Sequence, residues 1–405
     1  MTSRIAASLD IGTTKVFTVV AEVQSGGGLT VLGVGDQPCE GVERGMVVGL
    51  DATISAIHAS VEQAEKMAGV GAKQVVAGIS GEHVRSLNSS GVIGVARKDR
   101  EITQADVDRV LEAARAVAIP GDRELLHVLP RDFTVDEQRG IGDPIGMTGV
   151  RLEAEVHMVT VQSTAMQNVL RAIDRAGVKV ENLILQPLAA AEAVMTEDER
   201  GLGALLLDMG GGKTDLAVFE RGAVRHTAAI GYGGRAVSHD LAIGLRTPLE
   251  EAERIKVRHG VALVSRAGDG AVPVPGVGGR EGRSVPAREI AEIIEARVEE
   301  VLSLCRAEVE RVVDPELLAG GIVLTGGASL LPHARELCER VFGLPTRLGQ
   351  SEAVAGVSDL AFDPRLSVAI GLLRYAEAPD ESRSGRGVFG RVSRPVKDWI
   401  RAAFS

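Results

Sequence analysis

The sequence contains two similar units, each with a β-favouring run, an aspartate, a glycine-containing turn and a second β-favouring run. The first unit is IAASLDIGTTKVFTVVAEV and the second is GALLLDMGGGKTDLAVFE, with Asp10 and Asp208 at the same place in each. Glycines in such a turn let backbone N–H groups approach a phosphate, and an aspartate at a strand end suits Mg²⁺. Either unit alone is equally compatible with a plain tight hairpin. The pair favours two turns that hold the phosphates of a nucleotide from both sides.

Two common nucleotide-binding motifs are excluded. A P-loop needs a glycine five positions before Gly212, where Leu207 stands, and a helix after the turn, whereas DLAVFE has the pattern of a strand. No GxGxxG opens a helix after the first strand, which excludes the dinucleotide fingerprint.

Two further glycine turns occur later in the chain. The stretch GIVLTGGASLLPHARELCERVF predicts a buried strand, a turn at Gly326 and Gly327, and an amphipathic helix from about Pro332. The stretch GYGGRAVSHDLA precedes the helical PLEEAERIKVRHG, in which Glu253 and Lys256 share one helix face. Taken alone, Glu253 and Lys256 are better explained as a solvated ion pair.

Length and composition limit the class of protein. A chain of 405 residues favours two or more domains, and a formal net charge of -10 without a basic stripe before the C-terminus argues against nucleic-acid binding. Cys39, Cys305 and Cys338 lack the spacing of a disulfide framework or a zinc site, which favours a reducing cytoplasm. We expect neither a signal peptide nor a membrane-spanning helix.

Four stretches resemble, in the same order, motifs of the superfamily of actin, Hsp70 and sugar kinases. LDIGTTK is similar to its first phosphate loop, LQPLAAAEAV to its first connecting helix, LDMGGGKTD to its second phosphate loop and TGGASLL to its adenosine turn. The resemblance implies an α/β fold of two duplicated ribonuclease-H-like domains that close over ATP. It implies that Asp10 and Asp208 hold Mg²⁺ and that Gln186 lies near the attacking water, so these three are the candidate catalytic residues. The candidate cofactor-binding residues are Gly12, Thr13, Thr14, Lys15, Gly210, Gly211, Gly212, Lys213, Thr214, Gly233, Gly234, Glu253, Lys256, Gly326, Gly327 and Ala328.

Within this superfamily the chain resembles the FtsA family of actin-like bacterial cell-division proteins. The resemblance rests on GVERGMVVGLDAT, IGDPIGMTGVRLEAEVHMVT, EAERIKVRHG and TGGASLL followed by SVAIGLL, and it extends from about residue 5 to residue 376. In that family the second of these stretches belongs to an inserted subdomain named 1C, which here includes a helix with capping-box spacing at Thr103 and Asp106. The resemblance also implies a structural and recruiting protein that is at most a slow ATPase.

The resemblance gives the expected division of the chain. The expected parts are 1–81 and 163–202 for the first actin-like domain (1A), 82–162 for the 1C-like insert, 203–231 and 301–376 for the second domain (2A), 232–300 for its smaller subdomain (2B), 377–387 for a flexible linker and 388–405 for a terminal helix.

One position departs from the superfamily pattern. Lys213 follows the three glycines of the second turn, and Thr214 comes after it. Three possibilities stay open for this lysine: it neutralises phosphate charge, it retains the product, or it points into solvent.

The C-terminal segment has the pattern of a basic amphipathic helix after a linker. The linker EAPDESRSGRG is polar, and in the helix that follows the apolar side chains fall within an arc of roughly 140°. The predicted membrane-binding residues are Phe389, Val392, Val396, Trp399, Ile400 and Phe404 on the apolar face and Arg391, Arg394, Lys397 and Arg401 on the basic face. The alternative is a terminal helix docked on the protein's own core. The linker and the position of Trp399 favour an anionic lipid surface.

The resemblance implies a function for the whole chain. It implies a filament-forming protein at the cytoplasmic face of the inner membrane, which tethers FtsZ at the division site and recruits later divisome membrane proteins. The FtsZ contact is expected within residues 232–300. Two alternatives are a sugar kinase or exopolyphosphatase, against which the basic tail and the inserted block argue, and an Hsp70-like chaperone, which would need a longer segment after residue 376.

Overall fold

A computed structural model describes residues 3–24, 28–96, 100–351, 354–356 and 363–376. The helices are α1 (Leu50–Ala68), α2 (Gln104–Arg115), α3 (Ser163–Arg175), α4 (Gln186–Val194), α5 (Glu197–Leu202), α6 (Gly234–Leu245), α7 (Leu249–His259), α8 (Ala287–Glu310), α9 (Ala334–Phe342) and α10 (Ser367–Ala376). The strands are β1 (Ser3–Ile11), β2 (Lys15–Gln24), β3 (Leu29–Pro38), β4 (Val42–Glu43), β5 (Met46–Val47), β6 (Gln74–Ile79), β7 (Val84–Gly94), β8 (Arg123–Val135), β9 (Gln138–Ile141), β10 (Arg151–Gln162), β11 (Lys179–Leu185), β12 (Ala204–Met209), β13 (Thr214–Glu220), β14 (Ala223–Ile230), β15 (Ala271–Val274), β16 (Arg283–Pro286), β17 (Ile322–Thr325), β18 (Thr346–Leu348) and β19 (Val354–Gly356).

Two mixed sheets have the same strand order. In the first sheet, β3 and β1 each run antiparallel to β2 between them, and β6 and β11 continue the sheet in parallel from β1. In the second sheet, β14, β13 and β12 are antiparallel, and β17 and β18 continue in parallel from β12. Strand β19 adds a parallel edge strand beside β3 in the first sheet. This correspondence, strand by strand, confirms the predicted duplicated α/β architecture.

A separate unit lies between β6 and β11. Its antiparallel sheet has the order β7-β10-β8-β9, and α2 packs against it over a core that includes Ile102, Val107 and Phe133. Helix α2 begins with the predicted capping box, because the Asp106 carboxylate accepts hydrogen bonds from the backbone and hydroxyl of Thr103 at 2.9 and 2.7 Å. The boundaries expected for this insert stay a prediction.

The two sheets are joined by buried helices and a shared core. Leu206 of β12 faces the core of the first domain, whereas its neighbour Leu205 faces the core of the second, as the two-residue period of a strand requires. Helices α4 and α10 pack against each other in the shared core, where a Cβ added at Gly371 would lie 1.7 Å from the Ala189 carbonyl oxygen. Position 371 therefore accepts only glycine at this crossing.

A smaller helical unit completes the second domain. It contains α6, α7, the β15–β16 hairpin and the long helix α8, whose buried side chains recur at helical spacing. Those buried positions are Ile290, Ala291, Ile294, Val298, Val301, Leu302, Cys305 and Val309. This unit supplies one wall of the cleft described below.

None of the helices in the described part of the chain is both long and apolar enough to cross a bilayer. The predicted linker and terminal helix, residues 377–405, lie outside the described residues.

Candidate functional site

A cleft of about 1130 Å³ opens between the two domains. Its volume is slightly above the usual range of about 300–1,000 Å³ for pockets that hold small molecules and cofactors. The walls come from the β1–β2 turn, the β12–β13 turn, the first turn of α6, helix α7 and the segment after β17. All these elements except α7 contribute glycines, so the backbone itself forms much of the wall.

The two predicted phosphate turns have the same backbone structure. In the first turn the Gly12 N–H donates to the Lys15 carbonyl at 2.9 Å, and in the second the Gly210 N–H donates to the Lys213 carbonyl, also at 2.9 Å. The shared pattern is aspartate, any residue, glycine, two residues and lysine. Lys15 and Lys213 therefore hold equivalent positions in the duplicated unit.

The two turns pack face to face. A Cβ added at Gly212 would lie 2.4 Å from Thr13 Oγ1, and one at Gly211 would lie 2.6 Å from Thr14 Cγ2. These glycines are therefore required by the contact between domains as well as by the openness of the turn. Thr13 Oγ1 is buried without a hydrogen-bond partner in the structure, so it can donate to a ligand in the cleft.

A chain of hydrogen bonds, here called the floor network, runs beneath the two turns. It consists of Asp10, Gln186, Lys213, Asp215 and Ser80. Gln186 Nε2 donates to Asp10 Oδ1 at 2.6 Å, and Lys213 Nζ donates to Gln186 Oε1 at 2.9 Å and to Asp215 Oδ2. Asp215 Oδ1 also accepts from Ser80 Oγ at 2.5 Å. The network thus includes side chains from both domains.

Burial makes the carboxyl groups of the two turn aspartates weaker acids than usual. Burial raises the pKa of Asp10 to about 6, although the nearby Lys213 charge and the Gln186 hydrogen bond act in the opposite direction. Burial raises the pKa of Asp208 to about 7, with a further contribution from the negative charge of Asp215. Both carboxylates would be stabilised as anions by a cation in the cleft.

The side chains of the cleft supply only part of the ligands that a Mg²⁺ ion needs. Asp10 and Asp208 are hard oxygen ligands, and no side chain in the described ranges donates a hydrogen bond to Asp208. No cluster of three or more His, Cys, Asp or Glu side chains able to hold a metal occurs among those same residues. Mg²⁺ usually keeps several waters and shares its other positions with substrate phosphates, which matches two protein carboxylates. The metal role of Asp10 and Asp208 stays a prediction.

The other two glycine turns pack against the second phosphate turn. Gly326 has a φ of 86°, and an added Cβ would lie 2.3 Å from Asp208 Oδ1, so the turn after β17 passes directly beside the second aspartate. Gly233 approaches the second phosphate turn about as closely, since a Cβ added to it would lie 2.5 Å from the Gly210 carbonyl oxygen. Both turns therefore need glycine to bring their backbones against the β12–β13 turn.

Lys256 is tied into the wall of the cleft. Its Nζ donates to the Gly234 carbonyl at 2.9 Å, to Ser238 Oγ at 2.9 Å and to Glu253 Oε2 at 2.7 Å. The lysine side chain is 15% exposed, whereas that of Glu253 is 50% exposed. Lys256 therefore does not form a simple solvated ion pair with Glu253. It joins α7 to the first turn of α6.

The structure brings almost all of the predicted catalytic and cofactor-binding residues to this one cleft. The predicted residues that line it are Asp10, Gly12, Thr13, Thr14, Lys15, Gln186, Asp208, Gly210, Gly211, Gly212, Lys213, Gly233, Gly234, Glu253, Lys256, Gly326, Gly327 and Ala328. The exception is Thr214, which is fully buried and donates to the Tyr232 carbonyl at 2.9 Å. Thr214 begins β13, and the alternation of a strand turns its side chain away from the side taken by Lys213 and Asp215.

Several residues of the cleft and of the floor network beneath it were not among the predictions. Asp215 is the last residue of the quoted LDMGGGKTD motif, so the motif itself contained the information needed to identify it. Arg365 lines the cleft from the segment before α10, where it pairs with Asp363 at 2.5 Å and lies 6.0 Å from the Phe17 ring centre. Ser80 directly follows β6 and has no motif around it.

Comparisons with known proteins agree with this architecture. Residues 205–371 match the sequence model of "Cell division protein FtsA", and residues 81–160 match that of the "SHS2 domain inserted in FTSA". The cell division protein FtsA of Pseudomonas aeruginosa is 44% identical over 99% of this chain and 98% of its own length. The one from Neisseria meningitidis is 43% identical over 99% of this chain and 99% of its own.

Solved structures of more distant proteins have the same fold. The PilM-PilN type IV pilus biogenesis complex has a TM-score of 0.65 at 18% identity, covering 92% of this chain and 99% of that chain. MreB 5 of Spiroplasma citri, solved with AMPPNP, has a TM-score of 0.57 at 15% identity, covering 92% of this chain and 96% of that chain. These likenesses confirm the predicted actin-like fold with an inserted subdomain. Because relatives this similar align over nearly its whole length, the chain belongs to the FtsA family of cell division proteins.

Proposed function

We propose that the protein binds ATP with Mg²⁺ in the cleft between its domains, forms filaments and tethers FtsZ to the inner membrane through its C-terminal segment. The observation that carries the nucleotide part is the pair of equivalent turns, packed face to face above the floor network. Duplicated turns of this kind suit a chain of phosphates, because each turn offers backbone N–H groups to one side of it, and the first turn adds the hydroxyl of Thr13.

Each wall of the cleft has a role in this proposal. The backbone of the β1–β2 and β12–β13 turns and the hydroxyl of Thr13 donate to phosphate oxygens. Asp10 and Asp208 hold Mg²⁺, which supplies positive charge against the phosphates. The turn at Gly326 and Gly327 and the apolar side chain of Leu330, which line the same cleft, lie against the base.

The membrane part of the proposal rests on the sequence of the tail. Residues 388–405 contain four basic residues and one acidic residue, a charge of about +3 on a chain whose net charge is -10. One short amphipathic helix binds anionic lipid weakly and reversibly, so firm attachment needs several tails in one assembly. Filament formation by the nucleotide-bound body would present many tails together at the cytoplasmic face of the membrane.

The partner part of the proposal follows from family membership. We propose that FtsZ contacts the unit of residues 232–300, and that later divisome membrane proteins bind the assembled protein at the division site. The tethering role requires the body and the tail to act together, because neither the cleft nor the helix alone connects FtsZ to lipid.

Vesicle flotation tests the proposed function. Purified FtsZ is mixed with anionic vesicles, Mg²⁺-ATP and either the full chain or a chain that ends at Ala376. The proposal predicts that FtsZ floats with the vesicles only when the full chain is present. If neither chain floats and FtsZ stays in the dense fraction, the tether is ruled out, and a phosphorylated small substrate becomes the next hypothesis.

A further inference from the structure

The two equivalent lysines of the duplicated turns point in different directions. Lys15 Nζ lies 3.3 Å from Asp36 Oδ2, and its side chain is 38% exposed. Lys213 is buried, and its ammonium contacts Asp215 and Gln186 in the floor network. Only the second lysine is therefore bonded to the side chains that connect the two domains.

Lys213 dictates the orientation of the Gln186 amide. An ammonium group can only donate hydrogen bonds, so it must face the amide oxygen Oε1. The Asp10 carboxylate accepts, so the amide nitrogen Nε2 faces it at 2.6 Å. A flipped amide would place its nitrogen against the ammonium and its oxygen against the carboxylate, which removes both bonds and adds two repulsions.

Packing leaves the Gln186 side chain little freedom to escape this orientation. Gln186 is 3% exposed. A Cβ added at Gly78 would lie 2.9 Å from Gln186 Cγ, so the backbone of β6 packs directly against the side chain. Lys213 is itself held in place, because Asp215 is anchored by Ser80. The amide is therefore fixed at both ends and along its stem.

We propose that Lys213 is a positioning residue that keeps the Gln186 amide oxygen engaged, and so prevents this oxygen from orienting a water molecule for attack on a bound nucleoside triphosphate. The inference rests on the proposed nucleotide site and adds a restraint on hydrolysis to it. Lys213 thus favours a body that holds ATP for long periods over one that turns it over quickly.

The chemistry explains why an engaged oxygen slows the reaction. Hydrolysis forms a bond between the water oxygen and the terminal phosphorus. It breaks the bond from that phosphorus to the bridging oxygen, which leaves on the diphosphate with the electron pair. The water loses one proton, which passes through an acceptor to solvent. An acceptor oxygen that orients this water contributes substantially to the rate, and Gln186 Oε1 cannot serve while Lys213 donates to it.

The decisive variant is Lys213→Met, which keeps the length of the side chain and removes its donors. Single-turnover hydrolysis of Mg²⁺-ATP should rise by at least about tenfold, whereas affinity for Mg²⁺-AMPPNP should change less than the rate. Lys213→Arg retains donors and should remain as slow as the wild type. In a Gln186→Ala background, Lys213→Met should produce no gain. Lys66→Met, an exposed lysine 73% accessible to solvent, is the matched control.

A spectroscopic measurement tests the restraint without any reaction. In protein labelled with ¹⁵N-glutamine, the Gln186 side-chain amide resonance, assigned by its loss in Gln186→Ala, should be protected from solvent exchange in the wild type and in Lys213→Arg. It should lose protection in Lys213→Met. Since the single variant leaves Asp215 buried without its cation, Lys213→Met with Asp215→Asn is prepared in parallel, because it removes both charges together.

The outcomes separate this inference from the proposed function. Slower or unchanged hydrolysis in a Lys213→Met protein that binds AMPPNP would overturn it, and so would an amide resonance that is equally protected in wild type and variant. If the wild type binds no nucleotide, the proposed function fails and the effect on hydrolysis fails with it. Even then, the Gln186 resonance still decides whether Lys213 holds the amide.

Discussion

Ser80 Oγ donates a 2.5 Å hydrogen bond to Asp215 Oδ1 and thereby joins the end of β6 in the first domain to β13 in the second. The other oxygen of Asp215 is bonded to Lys213, which leads through Gln186 back to Asp10. The floor network therefore crosses the domain boundary twice. Four of its five side chains, those of Asp10, Gln186, Lys213 and Asp215, also line the cleft proposed to hold phosphates.

Ser80→Ala tests the contribution of this contact to stability. The variant leaves the buried Asp215 with one donor fewer, so the free energy of unfolding should fall by about 1–3 kcal/mol. Urea unfolding at neutral pH measures the change. Ser90→Ala, at an exposed position of β7, is the matched control and should change stability by less than about 0.5 kcal/mol. Equal losses in the two variants would contradict a structural role for the Ser80 hydrogen bond.

Lys15→Met tests the first phosphate turn. Lys15 is the cation of that turn, and a charge-assisted hydrogen bond to phosphate is worth about 1.5–3 kcal/mol. Affinity for Mg²⁺-ATP should therefore fall roughly tenfold to 100-fold in calorimetry. Asp36→Asn, which releases Lys15 from its carboxylate partner, should bind at least as tightly as the wild type. An unchanged affinity in Lys15→Met would remove this residue from the site.

A buried histidine joins the inserted unit to the second sheet. His157 of β10 shares hydrogen bonds with Asn88 Oδ1 at 2.8 Å and with Thr227 Oγ1 of β14 at 3.1 Å. Burial lowers the pKa of His157 to about 3. The positive charges of neighbouring groups lower this pKa further, and these groups are His226, Arg131, His127 and Arg225. This interface is therefore built around a neutral imidazole.

The low pKa of His157 predicts acid sensitivity. The unfolded chain takes up a proton on this residue as the pH falls below about 6.5, whereas the folded chain resists it until about pH 3. The stabilisation is thus complete above pH 6.5 and is lost as the pH falls. Between pH 7 and pH 5 the wild type should lose about 2 kcal/mol more unfolding free energy than His157→Gln. If His157→Gln and the exposed-site control His239→Gln show the same pH dependence, the account of this interface is wrong.

Some of this site was predictable from sequence and some was not. The duplicated turns can be recognised from the sequence because aspartate and glycine occur at the same spacing in both units. The positions of Gly12 and Gly210 depend only on the local backbone. The direction of Lys213 stayed open, because the path of a long buried side chain is decided by partners far away in sequence, such as Gln186. Thr214 shows the opposite case, since the alternation of β13 alone would have placed it away from the cleft.

Trp399→Glu tests the membrane part of the proposal. An indole ring favours the headgroup region, whereas a carboxylate on the apolar face opposes insertion and repels anionic lipid. The variant should be released from anionic vesicles at moderate salt, as measured by co-sedimentation. Ser405→Glu adds the same charge at the last residue and should bind more tightly than Trp399→Glu. Full retention of Trp399→Glu would favour a helix docked on the protein's own core.

Calorimetric titration of the full chain with AMPPNP and Mg²⁺ is the most direct test of the central claim, that two equivalent turns packed face to face form one nucleotide site. Gly212→Ala places a Cβ 2.4 Å from Thr13 Oγ1 and forces the turns apart, whereas Gly201→Ala meets no atom within 4 Å and is the matched control. We expect one nucleotide bound per chain in the wild type and in Gly201→Ala, with affinity at least about tenfold weaker in Gly212→Ala. No binding to the wild type, or wild-type binding by Gly212→Ala, would contradict this claim.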